Sequence, residues 1–199
     1  MFDSNKEWNK GVVVNINVQH TGWIEVICGS MFSGKTEELI KRIHRAEYAK
    51  QKLLVFKPII DDRYHEMNIV SHSQMQAPSI PINNPSEIYE HLSDDVQIVA
   101  IDEAQFFDES IVGICNDLAD RGIRVIVAGL DQDYKGNPFG SMPQLLAIAE
   151  YVTKNLAICL KCGNPANRTQ RIVHSSEQIL VGSTDAYEAR CRNCHEVLD

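Results

Sequence analysis

The sequence predicts an α/β fold: a parallel sheet covered by helices on both faces, with a small unit appended at its C-terminal end. Three observations predict it. Apolar runs of strand length alternate with helical segments from Trp23 to about Val152. A glycine-bounded turn joins the first such strand to the first helix. Two C-x-x-C pairs fall in the last forty or so residues, where the alternation has stopped.

Taken in order, 1–22 is an N-terminal arm, in which 12–18 has the alternation of a short strand. Residues 23–28 form a strand that ends at Gly29. Over 36–51, Leu39, Ile40, Ile43 and Ala46 recur at helical spacing. A short strand at 53–56 is closed by Pro58, and the polar stretch 61–84 is expected to be a long loop. A short helix over 86–92 is capped by Ser86, and the apolar strand 96–101 stops at Asp102. A helix over 108–121 starts at Asp108 and stops at Gly122. Then come a buried strand at 123–128 and a helix over 142–152 entered through Pro143. Strands this uniformly apolar have no wet side, which is the mark of interior parallel strands. The domain reading is therefore 1–22, 23–152 and 153–199.

Composition narrows the function. The 199 residues carry 19 Lys and Arg against 27 Asp and Glu, a net charge of −8. That weighs against a general polyanion binder, whose affinity rests on cationic contacts to phosphates. No apolar run is long enough to span a membrane, and the first residues lack the apolar core of a secretory signal. A cytoplasmic protein with no membrane and no nucleic-acid partner is expected.

Gly29-Ser30-Met31-Phe32-Ser33-Gly34-Lys35-Thr36 fits G-x-x-x-x-G-K-S/T in the context that gives it meaning, after a strand and opening a helix. The glycines let backbone N–H groups turn inward on phosphate oxygens, and the helix start adds unpaired N–H groups and its positive dipole end. Lys35 reaches the β- and γ-phosphates of ATP, and Thr36 offers its hydroxyl to Mg²⁺. The strand ending at Asp102-Glu103 delivers two carboxylates to the same edge of the sheet. Asp102 suits Mg²⁺, and Glu103 suits a general base for an attacking hydroxyl or water.

Cys159, Cys162, Cys191 and Cys194 form two knuckles separated by 28 residues. Four thiolates make a closed tetrahedral site for structural Zn²⁺; His195 is an alternative to Cys194. Cys28 and Cys115, in apolar contexts, read as small core residues. The segment between the knuckles is a loop pinned at both ends, suited to serve as a lid.

The ordered set of motifs resembles the thymidine kinase family of the zinc-containing cytosolic and bacterial type. The resemblance runs through GSMFSGKTEELIKR (29–42), LVFKP (54–58), DDRY (61–64), DEAQFFD (102–108), AGLDQDYKGNPFG (128–140), CLKC (159–162) and VGSTDAYEARCRNC (181–194). It implies a RecA-like P-loop domain and a zinc-ribbon domain carrying a lasso loop. It implies transfer of the ATP γ-phosphoryl group to the 5′-hydroxyl of thymidine, and of deoxyuridine, in nucleotide salvage. By position it makes Glu103 the general base and extends the ATP site from 29–36 to Asp102, Glu103, Ala104 and Gln105. It lines the base pocket with Met31, Phe106, Leu130 and Tyr134. Gln178, Ile179, Leu180, Val181, Gly182 and Tyr187 would contact the nucleoside, and Arg63 would lie near the phosphates. It also implies a homotetramer and feedback by dTTP. Ser30 stands where many relatives have Pro. Tyr134 stands where some have Phe, and its hydroxyl needs a partner if buried.

Two other classes compete: a nucleic-acid-stimulated ATPase, suggested by the DEAQ box, and a zinc-stabilised nucleotide-binding regulator. The acidic balance opposes the first, and a carboxylate placed as a base opposes the second. Arg63 is the only arginine between Arg45 and Arg121, which favours an uncharged acceptor over a nucleoside monophosphate.

Overall fold

Strands that are apolar on both faces must be covered twice, and the chain supplies a cover for each side. A computed structural model describes residues 21–59, 68–70, 76–174 and 186–197. Its first half holds β1 (Trp23–Gly29), α1 (Lys35–Tyr48), β2 (Leu53–Pro58), β3 (Asn68–Val70), β4 (Gln76–Pro78) and β5 (Ile80–Ile82). There follow α2 (Ile88–His91), β6 (Ile98–Ile101), α3 (Ser110–Asp120), β7 (Arg124–Gly129), α4 (Met142–Ile148) and β8 (Tyr151–Asn155). Four short strands end the chain: β9 (Ala157–Ile158), β10 (Pro165–Ala166), β11 (Arg168–Arg171) and β12 (Tyr187–Arg190).

Six strands form one parallel sheet in the order β5-β2-β6-β7-β1-β8. Alternate residues of each strand feed opposite cores. Ile27, Val55, Ile98, Ala100, Ile126 and Ala128 meet Leu39, Ile40, Ile43 and Ala46 of α1 on one face. Val26, Cys28, Phe56, Val99, Ile101, Val125 and Val127 meet α3 and α4 on the other, through Ile111, Cys115, Leu118, Met142 and Leu145. Each large aliphatic side chain removed from water in this way contributes about 1.5–3 kcal/mol before conformational entropy is charged against it.

The order of the strands decides where the site forms. β7 lies between β1 and β6, so the tips of those two strands stand about 10 Å apart, two interstrand spacings. The tip of β7, Leu130 and Asp131, projects between them.

Several elements depart from the sequence pattern. The stretch expected as a loop over 61–84 contains β3, β4 and β5, and β5 joins the main sheet beside β2. Pro81 masked it, yet proline is tolerated on an edge strand, where one row of ladder bonds is missing. The short helix begins as a 3-10 turn, Pro85–Glu87, capped by Asn84 and Glu87 rather than by Ser86. α3 starts at Ser110, although Asp108 still accepts the Ser110 N–H at 2.8 Å. The helix expected over 142–152 ends at Ile148, and Tyr151–Asn155 instead pairs with β1. The 152/153 division falls inside that strand.

Beyond β8, the pairs β9–β10 and β11–β12 are antiparallel. Their shared core is small: Ala157, Cys159, Ala166, Ala189 and Cys191, with Phe32 from the glycine-rich turn packed against it. Residues of this size bury too little area to hold such a unit alone, so it needs another source of folding energy. Among the described residues, no helix is long and apolar enough to cross a membrane.

One polar residue interrupts the apolar run of β1. Glu25 is buried, and Arg124 Nε donates to its Oε1 at 2.6 Å while Arg42 Nη1 donates to its Oε2 at 2.7 Å. The group ties α1 and β7 to β1. Burial raises its pKa, but the Arg124 and Trp23 hydrogen bonds and the two guanidinium charges outweigh that and hold it below 4.5. A depressed carboxylate pKa contributes stability that is complete above the unfolded value and is lost as pH falls through the folded one. Glu25→Gln is expected to cost about 3 kcal/mol near neutral pH, as for one partner removed from a buried ion pair. The difference from wild type should shrink below pH 4.5. Denaturant melts of both proteins across that range test this, and a difference independent of pH would refute the assignment.

Candidate active site

The glycine-rich turn leaves β1 at Gly29, whose φ of 146° and close neighbours admit no side chain: an added Cβ would lie 2.4 Å from Asn155 O. The turn then crosses Phe32 and Gly34, both left-handed at φ 64° and 78°, before α1 begins. Its lysine folds back into it. Lys35 is 7 % exposed, and its Nζ donates to Ser30 O at 2.9 Å. Burial lowers the Lys35 pKa, against the opposing pull of Glu103, Asp102 and Asp131. A lysine folded into a phosphate-type turn suits an anionic ligand once a divalent cation offsets the carboxylates around it.

Asp102 ends the β6 ladder, its N–H bonded to Phe56 O at 2.9 Å. It is buried, and burial together with the neighbouring Glu103 pushes its pKa up to about 7; Lys35 and a hydrogen bond with the Thr36 side chain work the other way. A carboxylate so reluctant to ionise, with a threonine hydroxyl on it, is a site that a divalent cation would relieve. The residues therefore fit Mg²⁺, which Thr36 and Asp102 would hold.

Glu103 follows in a left-handed conformation, φ 53° and ψ 38°, which costs a non-glycine residue energy. Gln105 Nε2 donates to Glu103 Oε2 at 2.5 Å, and Gln105 Oε1 accepts the Leu130 N–H at 2.9 Å. Gln105 is itself buried, and Gly140 packs against its backbone so closely that a Cβ there would lie 2.3 Å from Gln105 O. The strained carboxylate is thus braced from the tip of β7. Among the described residues, Ser33 Oγ in the turn and Asp131 Oδ1 beside it are buried without a hydrogen-bond partner. Orphaned polar atoms at a phosphate-type turn fit a ligand rich in oxygen and solvating water.

Of the expected pocket residues, Met31, Tyr134 and Tyr187 are gathered into one cluster with Phe32, Val173 and Ala186. Tyr134 Oη is not among the buried atoms lacking a partner. Phe106 packs edge-on against Phe139, with ring centroids 5.7 Å apart, and Leu130 enters through its backbone bond to Gln105. Ala104 is buried behind the Glu103 turn. Arg63 and residues 178–182 lie outside the described residues.

A model for the family described as thymidine kinase matches residues 22–195. The chain belongs to the thymidine kinase family. It is accordingly an enzyme, a thymidine kinase, whose general reaction is the phosphorylation of thymidine, and membership of a kinase family implies ATP use.

The four expected thiols of the kinase converge. Sγ atoms of Cys159, Cys162, Cys191 and Cys194 all lie within 4.8 Å of one another, and Cys162 and Cys191 Sγ are 3.6 Å apart. A Zn–S bond of about 2.3 Å sets tetrahedral edges of roughly 3.8 Å, so the set fits zinc. Burial raises the Cys159 pKa, but backbone N–H groups around it and the Cys162 side chain bring it down to about 6. Cys28 and Cys115 behave differently: burial pushes them up to about 11 and about 12, as inert core thiols.

Three residues of the candidate site drew no reading from the sequence. Asp131, buried beside Lys35, pairs with Lys154 Nζ at 2.6 Å. It follows an apolar strand as Asp102 does, so the same signal was present. Thr169 Oγ1 accepts the Met31 N–H at 3.0 Å and Arg171 stacks on Tyr134, but no motif marked either of them.

Zinc analysis should return one metal per chain, and Cys159→Ser should lose it and lower Tm. Full zinc content with unchanged melting would contradict a structural thiolate site.

Proposed function

We propose that this kinase transfers the γ-phosphoryl group of ATP to the 5′-hydroxyl of thymidine, and also of deoxyuridine, as a salvage enzyme. The observation that carries this reading is the braced Glu103 carboxylate, set at the strand tip beside the buried Lys35 and Asp102. A nucleotide binder without chemistry has no use for a strained carboxylate at that point. The acidic balance and the lone Arg63 in its stretch support a neutral acceptor.

In this reading the backbone N–H groups of 29–36 hold the phosphates, with Ala104 and Gln105 completing the site. Lys35 compensates the charge that develops on the oxygens of the transferred group. Thr36 and Asp102 would hold Mg²⁺, which when bound would neutralise charge on the phosphates. Glu103 accepts the proton of the 5′-hydroxyl as its oxygen attacks the γ-phosphorus; the bond to the ADP oxygen breaks, and ADP leaves. Met31, Phe106, Leu130, Tyr134 and Tyr187 enclose the base, residues 178–182 contact the nucleoside by backbone atoms, and Arg63 approaches the phosphates. The four cysteines would hold zinc, which would anchor the segment between the two knuckles at both ends. dTTP, which joins substrate and phosphates in one molecule, would act as a feedback inhibitor.

Residues 1–22, 23–152 and 153–199 serve as arm, ATP-binding unit and zinc-lasso unit. A homotetramer agrees with the exposed Tyr151 and Val152 on β8, at one edge of the sheet among the described residues. Light scattering that returned the mass of a single chain would remove that part of the reading. Six free thiols suit the reducing cytoplasm.

Label from γ-labelled ATP should appear on thymidine and deoxyuridine. Deoxycytidine and dTMP should take up none, and single-stranded DNA should not stimulate ATP hydrolysis. Glu103→Gln should retain ATP binding while kcat falls by roughly 10²–10⁴, the range for loss of a general base. Unchanged turnover in that variant would remove the base assignment.

A further inference from the structure

Arg171 lies at the C-terminal end of β11 and is only 3 % exposed. Its guanidinium carbon sits 3.6 Å from the centroid of the Tyr134 ring and 5.4 Å from that of Tyr187. Its Nη2 donates to Tyr187 Oη at 2.9 Å, and Arg171 faces Tyr187 in the β11–β12 ladder. A guanidinium withdrawn from water is stabilised by the negative face of an aromatic ring and by hydrogen bonds in a fixed planar fork, which lysine cannot reproduce.

The three residues come from different places. Tyr134 belongs to the loop after β7, on the ATP-binding part of the chain, whereas Arg171 and Tyr187 stand on the two strands that enter and leave 172–186. Tyr134 is also held by its backbone: His195 Nε2–H donates to Tyr134 O at 2.8 Å, directly after the last cysteine of the thiolate cluster. The tyrosine is therefore fixed at its ring by Arg171 and at its carbonyl by the cysteine knuckle.

We infer that Arg171 is a positioning residue of the nucleoside pocket: stacked on Tyr134 and bonded to Tyr187, it locks both rings at one angle and ties the root of the lid to the ATP-binding unit. The inference rests on the reading of those two rings as walls of the base pocket. It assigns no contact between Arg171 and phosphate. Its effect should therefore appear on nucleoside binding and spare ATP.

The test is steady-state kinetics of Arg171→Lys, Arg171→Met, Tyr187→Phe and the double variant Arg171→Lys/Tyr187→Phe, with zinc content and the Kd of a fluorescent ATP analogue as companion readouts. Both Arg171 variants should raise KM for thymidine by roughly ten-fold or more, with KM for ATP and the analogue Kd within about two-fold of wild type. Tyr187→Phe should raise KM for thymidine several-fold, and the double variant should be little worse than Arg171→Lys alone, because both remove the same bond. Equal rises for thymidine and ATP, strictly additive effects, or no change would overturn the inference. If the Arg171 variants fail to fold, Tyr187→Phe decides alone, since it deletes only the hydroxyl: a selective rise supports the inference and an unchanged KM for thymidine overturns it. Wild-type protein that bound the ATP analogue but left thymidine unlabelled would overturn the reading of the pocket itself, and the inference with it.

Discussion

Lys35 is a positive charge taken out of water, and three carboxylates act on it: Glu103, Asp102 and Asp131. Each arrives from a different constraint. Asp102 and Glu103 are delivered by the end of β6, Asp131 by the end of β7, and Lys35 by the first residue of α1 after a turn that only unusual backbone angles can close. An isolated buried ammonium would be neutralised or expelled. Among the carboxylates it can remain, and burial together with the neighbouring Glu103 pushes the Asp102 pKa up to about 7. The arrangement is polarised before any ligand enters.

The sheet makes this cluster possible. Parallel strands send all their carboxyl ends to one edge, so residues distant in sequence meet there without long connections. Both faces are sealed by apolar side chains, which leaves that edge as the place where charged groups can collect. Glu25 is the counter-example within the sheet: a carboxylate near the opposite end of β1, neutralised by Arg42 and Arg124. The same residue type is a structural tie between guanidinium groups at one end of the sheet and a neighbour of the buried Lys35 at the other.

The small C-terminal unit depends on chemistry where the sheet depends on area. Its buried residues are mostly alanines and cysteines, and the four thiols gather within 4.8 Å of one another, a set that could hold a tetrahedral metal. Phe32, from the phosphate-type turn, packs into that unit, and His195 reaches back to Tyr134. Thiolate cluster, glycine-rich turn and aromatic cluster are thus mechanically continuous.

The sequence by itself determined the strand–helix alternation, the glycine-rich turn, the acidic strand tip and the cysteine set. Each is written in residues close together in the chain or in a spacing that one local geometry demands. It also carried the wrong ends of several elements: Pro81 hid β5 in an apparent loop, and Tyr151 and Val152 looked like a continuation of α4 because apolar residues fit a helix and an edge strand alike. Only tertiary structure decided the strand order that puts β7 between β1 and β6, the brace of Gln105 on Glu103, the pairing of Asp131 with Lys154 and the stacking of Arg171 on Tyr134. Those contacts join residues from separate elements, and no local preference records them. They exist because the folded chain brings their backbones to within a side chain's reach.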